Sequence, residues 1–342
     1  MKSAVPQDPS NLKARYWGAV GFSAIFCVLI GLLELKLSTD MGDYGYWLFL
    51  GLPFLQGLSC SIWLEAKGPV PFMKHVTADL TAITSVVLAM FLFAAEGACC
   101  LTMAYPLIIG VSILGSALVH GVLGFVHRRR NVVSVSLFVL VPFFLLADSL
   151  TGGKPSVRKH STELVINATP ERIWPYLSEL NTVRHDRFLF RAGIAHPVKI
   201  HTLEARAGGG RECVLSTGTM RETITEFVPG KRLVFKMHNT PPSMKEWNPF
   251  GEVHAPHMDN YFESLEGSFD LIRLPGGKTL VRGTSIYQHK YRPVTYWSWW
   301  TDLIVGQVQS SVLEEVKSRA EHSRKVVLTD RSDRTYSPNA LP

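Results

Sequence analysis

Charge is spread so unevenly along this 342-residue chain that its two parts must fold against different solvents. From Tyr16 to Leu150 charged residues are sparse and apolar runs dominate, whereas from Thr151 onward charges recur every few positions and no run could cross a bilayer. Runs close to the roughly 20 residues that a bilayer requires cover Tyr16 to Leu37, Tyr44 to Glu65, Leu80 to about Ala95, about Met103 to Val126, and Val132 to Leu150. The stretch from Leu80 to Val126 is too long for one helix, and Glu96-Gly97 followed by Tyr105-Pro106 divides it. The pattern predicts an α-helical transmembrane region of about five spans over residues 1–150, with four as the competing count.

Basic residues orient such spans. Lys2, Lys13 and Arg15 precede the first, Lys67 and Lys74 lie between the second and third, and Arg128, Arg129 and Arg130 separate the fourth from the fifth. The alternate connections offer only Asp40, Asp43 and Glu96, so the amino terminus is expected in the cytoplasm. An odd span count then places the carboxy-terminal part outside it, as in a multi-pass protein of a bacterial inner membrane. The net charge of +7 thereby reads as topology and not as a nucleic-acid surface. No cleavage signature follows the first run, which is expected to remain as an anchor. Cys27, Cys60, Cys99 and Cys100 lie in or near apolar runs and only Cys213 lies beyond them, which is no disulfide framework. Glu96 reads as a boundary carboxylate beside a helix break. Cys99 and Cys100, with no His or further Cys nearby in sequence, read as small packing residues. No series of intramembrane charges suggests a relay or pump.

Residues 151–159 read as a linker. Thr162 to Ala168 alternates as a strand, and Thr169-Pro170-Glu171 opens a helix with a capping hydroxyl, a proline suited to the first position and an acid at the positive helix end. Short alternating stretches follow between Val198 and His289, punctuated by Gly208-Gly209-Gly210, Pro229-Gly230 and Pro275-Gly276-Gly277, which predicts an antiparallel sheet. From Val294 to about Glu321, Trp297, Trp300, Ile304, Val308, Val312, Leu313, Val316 and Ala320 recur at helical spacing. Residues 326–342 read as a disordered tail.

This order of elements resembles the helix-grip fold of the SRPBCC/START-like superfamily, in its polyketide cyclase/dehydrase-like branch. The resemblance rests on Ile166-Asn167-Ala168-Thr169-Pro170-Glu171-Arg172-Ile173-Trp174, on Ile224 to Leu233 around Pro229-Gly230, and on Leu274-Pro275-Gly276-Gly277-Lys278-Thr279. It implies, over residues 160–325, a curved antiparallel sheet around a long carboxy-terminal helix, with a cavity for an apolar ligand between them. Fold does not fix chemistry, and the preceding membrane region lies outside the superfamily's pattern.

Within that frame Phe235, Met237, Phe269 and Tyr287 are candidate cavity walls by alternation. Trp247, His257, Tyr261, Trp297 and Trp300 are candidate ligand contacts from the long Met244 to Tyr261 connection and the aromatic helix entrance. His254, His257 and Glu246 are the candidate acid-base groups if the domain is catalytic. His254-x-x-His257-x-Asp259 is not a recognised metal spacing, so neither a metal nor another cofactor is expected. Glu222 and Glu226 are read as sharing a strand face, most simply as solvated edge residues. The expected function is a membrane-anchored domain that binds a lipid or other hydrophobic small molecule, with membrane lipids and that ligand as partners. A cyclase or dehydratase-like enzyme using the 246–259 loop is one alternative, and a regulatory or assembly domain is another.

Overall fold

The computed structural model describes residues 9–37, 45–125, 150, 154–183, 186–253 and 255–332. They form two compact units, and the division does not follow the chain. The first unit takes the amino-terminal part through Lys154 together with Glu246–His257 and Lys290–Trp297, and the second takes the remainder.

In the first unit, helix α1 spans Pro9–Leu37, a π-helical turn at Trp47–Gly51 leads into α2 (Leu52–Glu65), and α3 (Phe72–Leu92) and α4 (Ala98–Phe125) follow. Four helices among the described residues are long and apolar enough to cross a membrane: Asn11–Gly31, Trp47–Glu65, Phe72–Leu92 and Ala98–Val122. The expected fifth run, Val132 to Leu150, lies outside the described residues except for Leu150. The break between the third and fourth helices falls at residues 93–97, where Ala94 takes a positive φ of 51°. Pro106, expected to contribute to that break, instead lies inside α4. Apolar helices of this kind accommodate proline because neighbouring groups satisfy the freed carbonyl.

Small residues let these helices touch. A Cβ on Gly57 of α2 would lie 1.9 Å from the Ser112 carbonyl oxygen of α4, and one on Gly115 would lie 2.4 Å from that of Phe54. Backbones this close pack without the help of water. Polar side chains then bond across the helices. Asp79, 1% exposed, accepts from Ser112 Oγ at 2.7 Å and Ser116 Oγ at 3.2 Å, and Gln56 Nε2 donates to Ser23 Oγ at 2.9 Å. His75, fully buried, bonds Ser61 Oγ at 2.9 Å and Glu65 Oε1 at 3.1 Å. This corrects the expectation that no series of charged groups lies among the apolar helices. Helix α3 starts at Phe72 and not at Leu80, which brings His75 and Asp79 inside it.

The second unit is a curled seven-stranded antiparallel sheet with a long helix. Its strands are β1 (Ser156–Ile166), β2 (Pro197–Thr202), β3 (Gly210–Leu215), β4 (Gly218–Val228), β5 (Arg232–Met237), β6 (Phe262–Leu274) and β7 (Lys278–His289). Their order across the sheet is β1-β7-β6-β5-β4-β3-β2. Helices α5 (Pro170–Ser178) and α6 (Phe188–Arg191) intervene between β1 and β2, and α7 runs from Val294 to Ser332. The meander is set by its turns. Gly208, Gly230, Gly276 and Gly277 hold φ between 69° and 80°, at the hairpins read from the sequence. Pro170 occupies the first turn of α5, but Thr169 makes no side-chain cap, so only its backbone serves as the helix start. Register shifts between Ile224 and Glu226 and between Ser264 and Glu266 bend the sheet. Strand β1 begins at Ser156, inside the expected linker, and α7 continues past residue 325 into the expected tail. Ile166, Ile173, Leu177, Leu180, Val281, Leu313 and Val316, each 1% exposed or less, form one core cluster shared by the sheet, α5 and α7.

Candidate functional site

Within the second unit, strand pairing fixes which side chains share the inner face. Arg211 of β3 lies directly opposite Glu222 of β4, Glu222 opposite Met237 of β5, and Ile224 opposite Phe235. Phe235 in turn lies opposite Gly267 of β6, where a Cβ would meet its ring at 2.4 Å, so glycine makes room for the aromatic ring. Phe269 stands 6.0 Å from Phe235, ring to ring, and Trp174 of α5 closes on Phe227 at 5.3 Å. The expected walls Phe235, Met237 and Phe269 are therefore neighbours in one apolar cluster.

Into this cluster the sheet buries an ion pair. Arg211 Nη1 bonds Glu222 Oε2, with side chains 2% and 1% exposed, and the guanidinium lies 4.1 Å from the Phe235 ring centroid. Arg211 Nε is buried with no hydrogen-bond partner among the described residues. Burial pushes the Glu222 carboxyl upward against the pull of Arg211. The reading of Glu222 as a solvated edge residue is corrected here, because the bulge separates the faces of the two acids. Glu226 does meet solvent, paired with Arg232 at 2.9 Å.

A second polar group lies toward the start of α7. Tyr287, fully buried, donates to Asp302 Oδ1 at 2.5 Å, and Arg158 Nη2 bonds Asp302 Oδ2 at 2.6 Å. Gln309 bridges Thr162 Oγ1, Ser285 Oγ and the His160 carbonyl at 2.6 to 3.2 Å. Burial, with Asp302 beside it, pushes the Tyr287 phenol up to about 12. Asp302 is opposed by partial burial but held below the usual carboxylate range by Arg158 and Tyr287.

The other candidate residues divide between the units. Tyr261 immediately precedes β6 and Trp300 lies on α7, both half-buried and both in the second unit. Glu246, Trp247, His257 and Trp297 belong to the first unit, and His254 lies outside the described residues. In the first unit Glu246 caps α4, accepting from Cys99 N at 3.1 Å and Cys100 N at 2.8 Å, where a helix N-terminus favours a carboxylate. Trp247, 60% exposed, offers its carbonyl to Ala98 N at 3.1 Å, and Asn248 Nδ2 donates to the Phe91 and Glu96 carbonyls. His257, 2% exposed, has Nε2 at 2.8 Å from Cys100 Sγ and Nδ1 at 3.8 Å from Glu96 Oε1. Burial lowers the His257 imidazole to about 4, so it is neutral at ordinary pH. Tyr291 Oη donates to the His257 carbonyl at 3.3 Å, and Trp297 stacks edge-on with Phe49 at 5.0 Å. Sequence spacing gave no means of joining Glu96 and Cys100 to His257, because 157 positions separate the thiol from the imidazole.

No family model matches the sequence, and neither does any curated protein. Among solved structures, a protein from Mesorhizobium loti aligns at 16% identity over 48% of this chain and 98% of its own, with a TM-score of 0.31. A truncated norcoclaurine synthase from Thalictrum flavum aligns at 10% identity over 48% of this chain and 93% of its own, with a TM-score of 0.32. An aromatase/cyclase from Streptomyces sp. R1128 aligns at 13% identity over 48% and 94%, also with a TM-score of 0.32.

Proposed function

We propose that this protein is a membrane-anchored helix-grip protein whose second unit binds a lipid or other hydrophobic small molecule bearing a hydrogen-bond-accepting or anionic head. The observation that carries this reading is the Arg211–Glu222 pair buried among Phe235, Met237 and Phe269. A core that served packing alone would gain by replacing such a pair with apolar side chains, since desolvating two charges costs several kcal/mol per ion. The Arg211 guanidinium packs 4.1 Å from the Phe235 ring with a buried Nε that has no hydrogen-bond partner among the described residues, a donor for a ligand head, and the aromatic and Met side chains around it suit an apolar body. The Arg158–Asp302–Tyr287 group adds further polar atoms against the same sheet. The four apolar helices support the anchor, since each has the length a bilayer core requires.

The test is photo-crosslinking of the full-length protein in nanodiscs that contain a photoactivatable, clickable fatty acid, followed by peptide mapping. Adducts on peptides spanning Gly210–Met237 and Phe262–Leu274, reduced in an Arg211→Met/Glu222→Leu variant, are the expected result. Adducts confined to Pro9–Phe125 in the wild type would mean that only boundary lipid is contacted and would refute the reading.

A further inference from the structure

A carboxylate, a thiol and an imidazole converge in the first unit at the start of α4, where Glu96, Cys100 and His257 each offer a ligand atom within 4.8 Å of the other two. Glu96 and His257 are buried and Cys100 is half-buried. We propose that these three side chains bind a divalent transition metal, with zinc the best match to the donor set.

Thiolate, imidazole and carboxylate together suit a borderline ion better than the hard cations, which prefer oxygen alone. Three protein ligands in a tetrahedral site leave a fourth position for water or substrate. Zinc bonds of about 2.3 Å to sulfur and about 2.0 Å to nitrogen place those two ligands roughly 3.5 Å apart. The present Cys100 Sγ to His257 Nε2 distance of 2.8 Å has to open by less than an ångström. On loading, the Sγ–H bond breaks, a sulfur–metal bond forms, and the thiol proton leaves to solvent.

The surroundings hold the donors in place as outer partners of a metal site do. Glu246 fixes the first turn of α4 through the Cys99 and Cys100 amides, and Gly97 makes this possible, since a Cβ there would lie 2.0 Å from Glu246 Oε2. Tyr291 bonds the His257 carbonyl and fixes the short 3-10 turn Pro256–Met258 that carries the ring. The acidic side chains Glu96 and Glu246 both stand beside the thiol and the imidazole, an arrangement of donors that suits a dication. The group Glu65, His75 and His120 also brings three donors within 4.8 Å, but there the His75 nitrogens already bond Ser61 and Glu65 in a closed chain and no sulfur is present.

The experiment uses the full-length protein, purified in detergent, stripped with chelator and titrated with cobalt(II) and zinc(II). We expect about one metal per chain by elemental mass spectrometry and, with cobalt, a near-ultraviolet sulfur-to-metal charge-transfer band. Cys100→Ser abolishes the band, His257→Ala and Glu96→Gln each weaken metal binding by roughly tenfold or more, and His75→Ala leaves it unchanged. If the variants fail to fold, maleimide labelling of wild-type Cys100 decides instead: zinc suppresses the label and chelator restores it. No charge-transfer band, a band retained in Cys100→Ser, or Cys100 labelling indifferent to zinc would each overturn the assignment.

Discussion

Replacing Glu222 with Gln keeps the side chain's shape while removing the charge that balances Arg211. Because the two side chains are 1% and 2% exposed, solvent cannot compensate. Removing one member of a buried pair costs about 3–5 kcal/mol. At about 1.4 kcal/mol per factor of ten, that raises the open population of the β3–β4 pairing by roughly two to three and a half orders of magnitude. The apolar double substitution Arg211→Met/Glu222→Leu removes both charges. It forgoes the contact of the guanidinium with Phe235, worth about 0.5–2 kcal/mol, but avoids both desolvation costs, so its stability should match or exceed the wild type. Hydrogen exchange read by mass spectrometry on the full-length protein resolves the two cases. Peptides covering Gly210–Leu215 and Gly218–Val228 should exchange about a hundredfold faster or more in Glu222→Gln and near the wild-type rate in the double variant. An exchange rate in Glu222→Gln close to wild type, or a double variant less protected than the single, would refute the account of the pair as a buried cost maintained for recognition.

Gly57→Ala should force α2 away from α4, since the new Cβ would lie 1.9 Å from a backbone oxygen that cannot move alone; a loss of about 1–3 kcal/mol should appear as a lower melting temperature in detergent, and an unchanged one would contradict the close approach. Gly267→Ala should push the Phe235 ring off Arg211, destabilise by about 1–3 kcal/mol and diminish fatty-acid crosslinking to β5; unaltered crosslinking would argue against Phe235 as a wall. Asp302 supplies the pH test: its pKa is depressed in the fold, so its contribution is present above about 4, the unfolded value, and is lost as pH falls through the folded one. Protection of β1 and β7 in the wild type should therefore exceed that in Asp302→Asn at pH 7 and converge with it on acidification, whereas a gap that widens with falling pH would reverse the assignment.

The second unit was legible in the sequence because its strands are short, alternate cleanly and end at glycines that the turns require. Gly230, Gly276 and Gly277 mark hairpins at positions where no other residue takes the backbone so readily. Glu222 carries a readable signal in its apolar strand neighbours. It shares its strand side with Met220 and Ile224, both apolar, and the structure buries all three, with Arg211 and Cys213 opposite Glu222 and Met220 on β3. The start of α3 was missed because Lys74, His75 and Asp79 lower the local hydropathy, although His75 and Asp79 are buried by pairing and not by apolarity. The gathering of Glu96, Cys100, Glu246 and His257 had no local signature. Periodicity reports neighbours a few residues apart, and these four come from a helix start and a connection between strands far along the chain.

That the first unit is assembled from separated segments sets a schedule for its synthesis. The amides at the start of α4 wait for Glu246, which follows 146 positions after Cys100. At about 5–20 residues per second the ribosome needs roughly 7–30 seconds to deliver it. Throughout that interval α4 exists without its carboxylate cap and Cys100 without His257, so the helices enter their final state only after β2 to β5 have been made. A nascent chain arrested before residue 246 is thus an uncapped folding stage, in which the Cys99 and Cys100 amides lack the carboxylate that holds them in the finished protein.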